Sequence, residues 1–226
     1  MMIESNPLYS TMMLLKRDMV RDLMIGMPGK VISYNADLQR AVVECGIQRH
    51  IGDGQFKTLP VIEHVPVQFS GSAEWTVFHE LPAGTEGYIH FSQRSIDNWL
   101  SQGGPVAPLD ARMFNPSDAF FAPGYRSQQT AIVGLPTEGI GLSNKSGGVR
   151  IHLTDSGMTL TAGGTTLALT ESGMSYSGPE FTNNGQTTLN GRTEVTQGGL
   201  AIGELEVGDH DHGGVQRGND RTDGPQ

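Results

Sequence analysis

Apolar positions along this chain recur in two periods, and the change between them divides it. In residues 1–28, Met12, Leu15, Met19, Val20 and Leu23 share one face at helical spacing, while Lys16, Arg17, Asp18, Arg21 and Asp22 fill the others. That is the pattern of an amphipathic helix. Charges in its middle break any apolar run, so the segment predicts neither a signal peptide nor a membrane span. Met27-Pro28-Gly29 should stop it. The small apolar face predicts a cover for one end of the following domain; the other reading is an arm that docks on a partner through adaptable Met side chains.

From Gly29 the period is two, the signature of strands with one buried face. Residues 30–34 and 40–47 predict paired strands around the turn Asn35-Ala36-Asp37. Residues 59–69 predict one or two more, with Pro60 and Pro66 at strand starts or edges. Residues 75–79 and 87–91 bring the total to about five, the number a small Greek-key barrel of the OB type needs. Residues 94–100 predict a short helix or turn broken by Gly103-Gly104-Pro105. Residues 115–121 predict a helix with Asn115 as N-cap and Pro116 at its first position, ended by Pro123-Gly124. The reading is thus an OB-like barrel with closing segments over 29–124, then a collar over 125–146.

Residues 147–212 keep period two but become rich in Thr, Ser, Gly and Asn. Val149, Ile151 and Leu153 are spaced by two, as are Met158 and Leu160, Leu167 and Leu169, Met174 and Tyr176, Leu200 and Ile202, and Leu205 and Val207. A phrase recurs at 153–159, 169–175, 181–187 and 195–201: apolar, Thr, polar, small turn residue, Gly, any, small. Asp-Ser-Gly and Asn-Asn-Gly suit tight turns, so each phrase predicts two short strands joined by a turn. The phrases start sixteen, twelve and fourteen residues apart, too irregular for the stacked coils of a single-chain β-helix. Two or three apolar side chains per strand cannot bury a core alone. Several chains wound about one axis solve this, so the shaft should be an oligomer. Asp155 and Glu171 recur with the phrase and predict turn caps rather than a carboxylate pair of a glycosidase; His152, between Ile151 and Leu153, should face outward.

The shaft ends in His210-Asp211-His212. In an extended segment the two imidazoles share one side, and three chains on an axis would gather six of them. Six exceed the four ligands that zinc usually takes and favour an octahedral ion such as Fe(II). Residues 213–226 have no apolar periodicity and should turn at Gly213-Gly214 and fold back as a tip segment.

Composition narrows the function. Apolar residues make up 36% and Gly 31 copies, which suits a turn-rich β chain better than a compact enzyme. A net charge of -9 argues against nucleic acid as a partner and gives no affinity for an anionic membrane surface, so any crossing must be driven from outside. The single Cys45 excludes an intrachain disulfide framework and fits assembly in a reducing cytoplasm. His50, His64, His79 and His90 fall in or beside the barrel without a recognisable catalytic spacing.

A Thr/Gly-rich β shaft closing in His210-Asp211-His212-Gly213-Gly214 resembles the central spike, or cell-puncturing tip, of contractile phage tails and phage-tail-like bacteriocins. The stretches 94–99 and 118–124 carry the resemblance in the N-terminal part. It implies an all-β fold: an N-terminal OB-like barrel, then an intertwined trimeric β-helical spike, with a short N-terminal helix. It also implies one iron ion (Fe2+) per trimer, held at the apex by His210 and His212. The expected role is structural and non-enzymatic: a homotrimer at the baseplate tip of the virion, assembled in the host cytoplasm, attached to a tail hub protein by its N-terminal domain and driven through the bacterial outer membrane. The alternative is a trimeric fibre that binds host-surface glycan, which needs exposed shaft aromatics, whereas Tyr176 and Phe181 fit the buried alternate.

Overall fold

Asn6 opens helix α1 (Pro7–Asp22): its side chain accepts the Leu8 N–H at 3.0 Å, and Pro7 fills the first turn, where a missing N–H costs nothing. The computed structural model describes residues 6–207. The helix stops at Asp22, before the expected Met27-Pro28-Gly29 signal, because those three residues already pair with Ile89, Tyr88 and Gly87. They begin β1 (Gly26–Asn35), whose ten residues are shared by two neighbours. Leu8, Met12, Leu15 and Met19 are 61 to 67% exposed, so this face of α1 does not cover the domain that follows.

Two compact units divide the chain after Pro136. In the first, β1 returns through a turn in which Asn35 Oδ1 accepts the Leu38 N–H at 3.1 Å, and pairs with β2 (Arg40–Cys45). A small hairpin, β3 (Arg49–Gly52) and β4 (Gln55–Lys57), precedes β5 (Ile62–Pro66). The expected strand at 75–79 shrinks to β7 (Thr76–Val77), paired only with β6 (Ser70–Gly71). Strand β8 (Glu86–Phe91) follows, then the short helix α2 (Asp97–Gln102). The helix expected over 115–121 is one 3-10 turn, Pro116–Asp118, after which β9 (Ala119–Pro123) is extended. Local capping starts the turn; burial of Ala119, Phe121 and Ala122 then imposes a strand. This is the barrel's fifth strand.

The antiparallel order is β5-β2-β1-β8-β9. A parallel bridge between Val67 and Phe121, with the Gln68 N–H donating to the Phe121 carbonyl at 2.9 Å, joins its two ends. The sheet therefore closes into a five-stranded barrel of the OB type. Its core is Val31, Ala41, Val43, Cys45, Ile62, Val65, Ile89, Phe91, Ala119 and Phe121. Gly29 is required by the packing: a Cβ there would meet the Ile89 side chain at 2.5 Å. Burial, with the Glu44 charge adding to it, pushes the Cys45 thiol up, so it stays protonated.

In the second unit β10 (Ile140–Ser143), β11 (Val149–Thr154), β12 (Gly157–Ala162), β13 (Thr165–Thr170) and β14 (Gly173–Ser177) form an antiparallel meander in chain order. The first strand lies in the expected collar. The first two phrases form the expected strand-turn-strand units, with Thr154 paired to Gly157 and Thr170 to Gly173. Gly157 and Gly173 take φ of 147° and 129°, a region other residues avoid. Thr and Ser, rather than Asp155 and Glu171, close the turns: Thr154 Oγ1 lies 2.9 Å from Ser156 Oγ, and Thr170 Oγ1 3.2 Å from Ser172 Oγ. The third and fourth phrases differ. Residues 178–200 form no ladder within the chain, and pairing resumes at β15 (Ala201–Ile202) with β16 (Leu205–Glu206).

Candidate functional site: an uncovered apolar sheet face

Strand register turns the period-two pattern into a surface. Leu142, Ile151, Leu160, Leu167 and Tyr176 are successive cross-strand partners, and so are Ile140, Leu153, Met158, Leu169 and Met174. Side chains of paired residues share a face, so two five-residue apolar rows lie side by side. The opposite face carries Ser143, Arg150, Thr161, Thr166 and Ser177, and Gly141, His152, Thr159, Ala168 and Ser175. His152 lies on that polar face as expected, its Nε2 2.9 Å from the Glu138 carbonyl. The apolar face is open: Ile140 is 72% exposed, Leu142 61% and Met174 68%. Tyr176 and Phe181, expected on the buried alternate, are both exposed and meet edge to face at 5.6 Å. Exposed apolar side chains thus adjoin one another across the sheet instead of being scattered singly.

Two carboxylates that sequence reasoning missed organise the barrel unit. Asp118 is fully buried; its Oδ1 accepts the Ile96 N–H at 2.9 Å and Arg112 Nη2 at 2.7 Å, and its Oδ2 accepts Arg112 Nε at 2.8 Å. Arg112 also bonds Asp97 at 2.5 Å and Asp110 at 3.0 Å, tying α2 and the loop after it to the start of β9. Burial would push the Asp118 carboxyl up, but the Arg112 and Ile96 hydrogen bonds and the Arg112 charge hold it below its ordinary value. Glu86 secures the chain leaving the barrel. It accepts the Ser127 N–H at 2.6 Å, Ser127 Oγ at 3.0 Å and Thr130 Oγ1 at 2.6 Å. The Ser127 N–H first, then the Thr130 hydroxyl, hold its carboxyl low. The signal for either was faint, since Glu86 and Ser127 are 41 residues apart and Ile96 and Asp118 are 22 apart.

The barrel histidines are dispersed: His50 lies against Phe56, His79 against Phe69 and His90 against Tyr88, while His64 sits in β5 at a φ of 57°. Among the described residues no three His, Cys, Asp or Glu side chains are placed to hold a metal. His210, His212 and the tail 213–226 lie outside the described residues; the last described contact before them is the Val207 N–H donating to the Leu200 carbonyl at 2.8 Å.

Residues 27–124 match the family model described as the phage protein Gp138 N-terminal domain, and residues 207–226 match the GpV apex motif. No curated protein matches the chain. A closed barrel of the first kind, a sheet unit with one apolar face and a terminal apex motif together define a structural protein of the phage tail. A Gp138-type N-terminal domain followed by a GpV-type apex motif makes the chain similar, in that order of parts, to a phage central spike protein.

Proposed function

We propose that three copies of this chain join through the apolar faces of their second units, forming a spike that pierces the bacterial outer membrane. The observation that carries this is the pair of five-residue apolar rows, of whose ten side chains one chain leaves seven exposed and Met158, Leu160 and Leu167 only half-buried. Burying such rows about a common axis stabilises by roughly 25 cal/mol per Å2 of apolar surface, and phrases three and four would find partner strands on neighbouring chains. The barrel, matched to a phage N-terminal domain, attaches the spike to the tail hub at the baseplate, so that the shaft carries axial force. The role is mechanical and needs no catalytic residue.

At the apex, the chemistry of the donor set fits an octahedral metal: imidazoles of His210 and His212 from each of three chains, with iron(II) the ion of choice. The apex motif covers both residues. Bound there, the ion crosslinks chain ends, which otherwise fray first. Metal analysis of the purified protein should find one iron per three chains. His210→Ala with His212→Ala should remove it and leave the trimer, and particles carrying the variant should attach to cells but release less periplasmic marker. An iron-free wild-type protein, or a double variant that keeps its metal, would refute the clamp. The glycan-binding fibre keeps one supporting observation, the exposed Tyr176 and Phe181, and predicts glycan-array binding that Tyr176→Ala abolishes.

A further inference from the structure

We infer that α1 docks on its own copies, forming a short parallel three-helix bundle that is a second, N-terminal clamp on the spike. Leu8, Met12, Leu15 and Met19 follow one another at intervals of four, three and four residues, the a/d spacing of a coiled-coil seam. All four are more than 60% exposed, and Tyr9 and Val20, also exposed, widen the strip on one side. A 16-residue helix is marginal in water without packing, so this face calls for a cover.

Charge selects the occupant and its direction. At 100° per residue Lys16 flanks the seam on one side and Asp18 on the other. Copies related by rotation about a common axis bring the Lys16 flank of one helix against the Asp18 flank of the next at every junction. An antiparallel pair would instead place like flanks together, which is unfavourable. Asp18 already meets Arg21 at 3.0 Å, but that pair is about half exposed and contributes little. The inference rests on the three-chain assembly proposed above: chains gathered by their second units present three parallel helices at high local concentration, so that a seam too short to associate alone closes.

The test bridges single cysteines in the full chain with a short bismaleimide, the wild type with its buried Cys45 serving as control. Met12→Cys and Leu15→Cys lie in the seam, and Arg17→Cys lies opposite. Seam variants should give covalent dimers containing about two thirds of the chains, because a three-fold set leaves one thiol unpaired, while Arg17→Cys stays monomeric on a denaturing gel. Seam and outer variants that react alike, or no bridging in a particle whose native mass is still that of a trimer, would overturn the helix bundle and leave the spike standing; that result would assign α1 to a foreign partner. A monomeric native mass would remove both readings.

Discussion

The barrel and the second unit use the same apolar alternation and reach opposite ends. In the barrel, Val31, Val43, Ile89 and Phe121 are 0% exposed, because the Val67–Phe121 bridge closes the five strands and every inward side chain meets another across the interior. In the meander β10 to β14 the rows are at least as regular, yet Ile140 and Met174 stay open. Pattern alone therefore specifies a face, and closure decides who covers it. A sheet that closes on itself is complete as one chain; an open sheet with one apolar side is part of something larger.

The largest effect should follow from making the open face hostile to a partner. Leu160→Asp would place one carboxylate per chain on the common axis, at an effective cost of several kcal/mol per ion. Native mass should fall to a single chain while near-UV circular dichroism of the barrel is unchanged. A variant that still assembles would put the interface elsewhere. Phe121→Ala tests the closed side. Emptying the centre of the barrel should cost about 3–5 kcal/mol, visible as an earlier urea midpoint for the barrel transition with assembly through the second unit retained.

A smaller and pH-dependent loss should follow Asp118→Asn, about 3 kcal/mol at neutral pH, the low end for a broken buried pair because Arg112 is 23% exposed. In the wild type the Asp118 and Glu86 carboxyls are both held below their ordinary values. On acidification the unfolded chain therefore takes up their protons first. The stability they contribute is complete above about pH 5, begins to fall near the ordinary carboxylate values and is lost as the pH drops through the depressed native ones. Denaturation measured against pH should show a flatter acid limb in Asp118→Asn than in the wild type; parallel limbs would show that Asp118 is not the group responsible.

How much of this was legible in the sequence follows from the range of each interaction. Alternation is local, and it placed β1, β2, β5 and β8, the two hairpin phrases and the apolar rows. Helix capping is local too, and it misled at Asn115-Pro116, where a helix start is overridden after one turn by burial of Ala119 and Phe121 in the barrel. The Trp75 segment misled in the opposite sense: its apolar residues suit a strand, yet Trp75 is 80% and Phe78 82% exposed. Met27-Pro28-Gly29 looked like a stop because proline and glycine end helices, but the ladder with β8 claims them. Glu86 and Asp118 give little signal, since the Ser127 and Ile96 N–H groups they accept are 41 and 22 residues away, and the Arg112–Asp118 pair, six residues apart, fits no helix or strand spacing that would mark it. His210 and His212 stand out in the sequence by their spacing and fall within the span of the apex match, but they lie outside the described residues.

Native mass spectrometry of the purified protein decides whether the open sheet face is covered by copies of the chain, because it weighs the assembly and its metal together. Three copies joined through their second units should give one species of three chains carrying a single transition-metal ion. A metal-free single chain would contradict that assembly, leaving the apolar rows without their partner and the barrel as the part whose function must be sought.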